Sequence, residues 1–218
     1  MQKHAVLQLI LFYFVAFFSL TSNGQAQSAP SDAFRHVPRE EIPSGEKALN
    51  FGAMYLVQWA AYVATQEETI KDHGSYSNWH NYMTKPHFDK DSFHFNLYQH
   101  TAVGQYYYLF YRSRGYGKQS AFEWTAISSA AFEFTIETMT ERPSYQDLYQ
   151  TPVFGAIVGM GFESLSLYLH SLQTLPTTLL GYLFNPFTAL PYSQYQISLY
   201  PTKHEGKNAL ALTWGTAL

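Results

Sequence analysis

Residues 120–141 read SAFEWTAISSAAFEFTIETMTE, and the fold of this stretch decides how the rest of the chain packs. Ser120 followed by Glu123 has capping-box spacing, and Pro143 closes the run, so the segment predicts an α-helix over 120–141. The helical period then sets Ser129, Glu133 and Glu137 at i, i+4 and i+8, on one face. Two carboxylates on one stripe repel each other unless a cation, a proton or a donor lies between them. Trp124, Ile127, Ala131, Phe132 and Ile136 make much of the remaining surface apolar, which turns the acidic stripe inward. Glu133, between Phe132 and Phe134, is expected to lie deeper than Glu137, which is one turn nearer the charged end at Glu141 and Arg142. The other reading is a charged stripe facing water, as most are.

Upstream, a helix is expected over 96–112, stopped by Gly115 and Gly117. Asn96, His100 and Gly104 share one of its faces, and a glycine there lets a second backbone come close beside the imidazole. Downstream, Ser144 begins a capped turn with Asp147 as its third following residue, and the Thr151-Pro152 step starts a helix reaching about residue 172. Gly155 and Gly159 give that helix a smooth groove. A first helix over 46–67, capped by Ser44, precedes a long loop over 69–95 that holds about one helical turn. Between Ser164 and Thr202 there is no Asp, Glu, Lys or Arg, yet Pro176, Pro186 and Pro191 break the segment, so it reads as a broken membrane-facing or core-facing run. Residues 196–200 and 210–214, flanking a turn at 203–207, suit a terminal β-hairpin.

The N-terminus has Lys3, an apolar run over 5–20, a polar stretch and the small residues Gly24 and Ala26, the order of a secretory leader over 1–26. A flexible arm with Pro30, Pro38 and Pro43 is expected over 27–44, then a single helical envelope domain over 45–218. The fold class is therefore mainly α, about four helices packed around a polar centre after a cleaved signal peptide, with a C-terminal hairpin. The chain has no Cys, which excludes disulfides, thiolate metal sites and cysteine nucleophiles. A net charge of −3 provides no basic footprint for nucleic acid. Charged residues make up 13% and aromatics 18%, a balance that suits contact with a membrane surface or an envelope lipid.

His73, His80, His87 and His94 recur every seven residues near Asp72, Asp89 and Asp91, but Gly74 and Pro86 deny that spacing a helical geometry for zinc. No nucleophile elbow, phosphate loop or zinc helix occurs.

In order, Asp89-Lys90-Asp91-Ser92-Phe93, Asn96, His100, Gly104, Tyr107-Tyr108, Arg112 and Gly115, then Ser129, Glu133, Glu137, Pro143-Ser144, Asp147, Thr151-Pro152, Gly155 and Gly159, resemble the bacterial domain of unknown function 3943 family over about 88–161. Thr101 stands where that pattern has proline, and Met160 where it has glutamate, with Glu163 one turn further on. The resemblance implies helices around a polar centre and names no activity.

Two functional readings remain. In the first, an exported structural or interaction protein of the periplasm or outer membrane uses His100, Ser129, Glu133 and Asp147 as a polar network that fixes helix register. In the second, an envelope hydrolase uses His100 and Glu133 as acid and base, or as metal ligands with Asp147, on a lipid or another envelope substrate. Asn96, Ser129, Glu137 and Ser144 support the site in either case. The sequence identifies neither a metal nor any other cofactor. An open cleft reaching His100 and Glu133 favours the hydrolase, and a sealed core favours the network.

Overall fold

A computed structural model describes residues 37–90 and 92–189, together with the backbone of Tyr195–His204 and Lys207–Thr216. The leader expected over 1–26 and most of the arm lie outside the described residues. The helices are α1 (Ser44–Thr65), α2 (Glu67–His73), α3 (Tyr76–Tyr82), α4 (Phe93–Ser113), α5 (Lys118–Ala131), α6 (Tyr145–Ser171) and α7 (Leu175–Phe184). Mainly α is the fold class, and α1, α4, α5 and α6 are the four helices expected from the sequence.

The additional helices have local causes. Within the expected loop over 69–95, Lys71 donates to Glu67 across one turn of α2, and the Ser75 hydroxyl accepts the Asn78 amide to cap α3. Trp79 then anchors α3 by donating its indole N–H to the Thr135 carbonyl at 2.7 Å. Helix α7 starts at a reciprocal capping box between Thr174 and Thr177, with proline in its first turn. Helix α6 begins about six residues before the Thr151-Pro152 step because Ser144 caps it, and Pro152 is carried inside. The expected caps at Ser44 and Ser120 do not form: Pro43 and Gly117 hold those positions without side-chain cap bonds. Glu123 instead accepts from Gln119.

The helix over 120–141 does not stay α-helical to its end. After Ala131 the chain makes a π-helical turn (Phe132–Ile136) and then a 3-10 turn (Glu137–Met139). Thr125, Thr135 and Thr138 each donate a hydroxyl to the carbonyl four residues earlier, a habit that bends helices. Tyr195–His204 and Lys207–Thr216 pair antiparallel from Tyr195↔Thr216 to His204↔Lys207, a pairing that extends into the turn expected at 203–207.

The tightest join is between α4 and α6. A Cβ added at Gly155 would stand 2.5 Å from Gly104 Cα, and one added at Gly104 would meet the Thr151 carbonyl at 1.9 Å. Only hydrogen at both positions permits that approach. Next to this crossing the core is aromatic: Tyr108, Leu109, Tyr111, Tyr116, Ala121, Ala156 and Phe187 are buried together, with Trp124 against them. Two of the polar tips find partners: the Tyr111 hydroxyl meets Ser128 Oγ at 2.7 Å, and the Tyr116 hydroxyl accepts from Asn50 Nδ2 at 3.4 Å. Arg112 crosses the same interface to the carboxylate of Glu163, with Nη2 2.7 Å from Oε1, and also bonds to the Tyr116 carbonyl. Glu163, one turn beyond Met160, thus places its carboxylate on α4. The N-terminal segment is tied to the same region, because Arg39 donates to buried Glu46 at 2.7 and 2.8 Å and its amide donates to the Gly115 carbonyl.

Removing one member of a buried ion pair strands its partner, at a cost of about 3–5 kcal/mol. Glu163→Ala is therefore expected to lower stability by about that much in denaturant titration, while exposed Ser164→Ala leaves the midpoint nearly unchanged.

Candidate functional site

Asn96 and His100 project from the first turns of α4, four residues apart, towards the turn that opens α6. That turn is held by a short parallel bridge: the His87 amide donates to the Pro143 carbonyl and the Tyr145 amide to the His87 carbonyl, both at 2.9 Å. The bridge places Asp89 beside Ser144. Asp89 Oδ2 accepts from Asn96 Nδ2 at 2.9 Å and from Ser144 Oγ at 2.6 Å. The Ser144 amide donates to Glu133 Oε2 at 2.9 Å, and its hydroxyl accepts the Asp147 amide at 3.3 Å as the helix cap. One serine thereby joins three carboxyl-bearing residues from three segments.

His100 completes the group. Its Nδ1 lies 3.0 Å from Thr151 Oγ1, and its Nε2 lies 3.2 Å from Asp147 Oδ1. Asp147 is 5% exposed, and its Oδ1 has no hydrogen-bond partner among the described residues. The π-helical turn brings Glu133 and Glu137 into the same space, where the two carboxyls hydrogen-bond to each other, as Asp89 and Asp147 also do. One donor atom each from His100, Glu133 and Asp147 lies within 4.8 Å of the other two, and these three could hold a metal ion.

These groups line a cavity of about 240 Å³, walled also by Gln58, Tyr62, Tyr107 and Ser129 and reaching exposed Gln99, Glu141 and Arg142 at its mouth. The sequence reading placed Glu137 nearer to water than Glu133. The structure keeps that order, with Glu133 1% exposed and Glu137 half-buried, while Glu137 Oε2 itself is buried with no hydrogen-bond partner among the described residues. The four spaced histidines are not brought together: His73, His80 and His94 are exposed and His87 lies in the bridge. Among the described residues, His100, Glu133 and Asp147 are the group arranged for a metal. The sequence reading did not assign Asp89, Thr151, Gln58 and Tyr62 to the site. A signal existed for the α1 pair, since the buried residues Glu46, Asn50, Met54, Gln58 and Tyr62 recur every four positions and include polar types.

Burial governs the electrostatics. It pushes Glu133 well above the usual carboxylate range, with the charge of Glu137 adding to the shift. Burial likewise raises Glu137 to about 8, against its hydrogen bond from Glu133, and raises Asp147 to about 7 with help from Asp89. Burial lowers His100 to about 4, and the charge of Asp89 opposes this only in part. The His100–Asp147 contact has the distance of an ion pair, but burial lowers His100 and raises Asp147, so the charged form of each is disfavoured.

A carboxyl whose pKa is raised on folding stabilises the native state below its unfolded value, and that contribution is lost as pH rises through the folded value. A histidine whose pKa is lowered acts oppositely and only at lower pH, so above pH 6.5 the carboxyls decide the slope. The melting temperature of metal-free protein is therefore expected to fall between about pH 6.5 and 9, and Glu137→Gln to flatten that slope. A melting temperature that rises over this interval would contradict the assignment.

No curated protein and no solved structure matches the chain. The family model of the domain of unknown function DUF3943 matches residues 85–187, a span that holds Asp89, Asn96, His100, Ser129, Glu133, Glu137, Ser144, Asp147 and Thr151. This block, which runs from the bridge at His87 to the end of α7, matches the DUF3943 family, as the resemblance in the sequence implied.

Proposed function

We propose that this is an exported protein of the bacterial cell envelope, seated against a membrane, whose cavity hydrolyses a lipid or another envelope substrate. The observation that carries this reading is the cavity itself: His100, Glu133 and Asp147 converge in a space that reaches the surface. A network serving only to fix helix register would match acceptors with donors. Here Asp89, Glu133, Glu137 and Asp147 crowd carboxyl oxygens together, and two of these oxygens have no hydrogen-bond partner among the described residues. Such an excess is costly to stability and characteristic of sites that act on something.

Membrane contact is supported by the side of the molecule that carries α7. Leu175, Leu179 and Leu183 are exposed there, along with Tyr168 and Leu172 at the end of α6, in a segment without Asp, Glu, Lys or Arg. Helix α6 is long and apolar enough to cross a bilayer, but it turns Asp147, Glu163 and His170 into the protein, which suits a helix lying in a bundle against the surface. Export is supported by the leader-like opening of the sequence.

Two measurements test the reading. N-terminal sequencing of protein recovered from the envelope is expected to begin near Gln27, and a start at Met1 would refute cleavage. In assays of wild-type protein on ester-linked lipids and cell-wall fragments, His100→Gln is expected to lower turnover by about 10²-fold or more at an unchanged melting temperature. If His100→Gln instead lowers stability by about 1 kcal/mol and wild type turns over none of these substrates, the register-fixing network is the correct reading.

A further inference from the structure

We infer that the cavity holds one divalent metal ion on His100, Glu133 and Asp147, an inference that rests on the reading of this cavity as the working site. The three side chains come from α4, the π-helical turn and α6, and they present one donor atom each within 4.8 Å of the others. Ligands about 2.0–2.2 Å from a common ion stand roughly 3–4 Å apart, so little movement is needed to close around one. Nε2 of His100 and Oδ1 of Asp147 are already 3.2 Å apart, the edge length of such a polyhedron. Asp147 Oδ1, buried and without a hydrogen-bond partner among the described residues, is the acceptor that a cation would satisfy.

The surroundings fit this role. Thr151 Oγ1 at Nδ1 of His100 leaves Nε2 as the bare lone pair when Nδ1 carries the proton. The Ser144 amide fixes Glu133, which lines the cavity, through Oε2. The open side of the group faces the cavity, where Glu137, Ser129 and Gln58 leave room for water or substrate, as metal centres that do chemistry require. One imidazole with carboxylate oxygens, in a chain without cysteine, suits zinc, manganese or ferrous iron and disfavours soft ions.

The test uses full-length protein purified without chelators, then stripped with EDTA and titrated calorimetrically with zinc and with manganese. About one equivalent of at least one of these ions is expected to bind and to raise the melting temperature. Asp147→Asn and His100→Ala are expected to abolish that equivalent, and His73→Ala, at an exposed histidine, to leave it intact. Thr151→Val keeps the shape of the side chain, removes the bond to Nδ1, and is expected to weaken binding by about 10–100-fold should the ligand variants fail to fold. Stripped wild type that binds neither ion stoichiometrically, or binding untouched by His100→Ala and Thr151→Val alike, would overturn the inference. Hydrolysis undiminished by stripping would overturn the metal and leave the hydrolase standing. One bound equivalent without turnover of any substrate would leave the metal standing and overturn the hydrolase.

Discussion

The approach of α4 to α6 at Gly104 and Gly155 is the constraint on which the rest depends. With backbones touching there, the side chains on either side of the crossing are fixed in register. On one side Thr151 and Asp147 are carried against His100, and on the other Gly159 packs on Tyr108 and Glu163 meets Arg112. The polar cavity and the aromatic core are thus two outcomes of one helix crossing. Small residues make the crossing close, and closeness brings the polar groups of α4 and α6 to one cavity.

The two buried acidic regions of this crossing are treated differently. Glu163 is fully answered by a guanidinium that approaches both of its oxygens, which is how a structural carboxylate is usually kept inside. Around Ser144 the carboxyls answer each other instead, and desolvation favours the protonated forms of Glu133, Glu137 and Asp147. A protein that can neutralise one buried acid with arginine and leaves Glu133, Glu137 and Asp147 to rely on protons has a region whose stability is subordinate to something else.

Much of this was legible in the sequence, and the misses have physical causes. Periodicity set Ser129, Glu133 and Glu137 on one face, the glycine positions foretold the α4–α6 approach, and Ser144 and Asp147 had cap spacing; all of these are properties of nearest turns. Asp89 became part of the site only through the bridge at His87, a pairing between segments more than fifty residues apart that no local pattern encodes. Gln58 and Tyr62 joined through α1, whose polar stripe looks like a wet face until another helix covers it. The short helices α2 and α3 were missed because their stability comes from a cap and from Trp79 reaching Thr135, not from a long apolar period.

The π-helical turn over Phe132–Ile136 has a meaning in terms of chain length as well as of shape. Such a turn is an α-helix holding one residue more than its pitch accommodates. Losing one residue of that turn would let the helix close at its ordinary pitch, with the two glutamates three positions apart instead of four and still on one face. The acids would remain neighbours, but the angle at which their carboxyls meet would change by the geometry of one turn. Among relatives of this chain, the count of residues between Ser129 and Pro143 therefore tells whether the π-helical turn is kept, and a one-residue gap there carries information that a substitution does not.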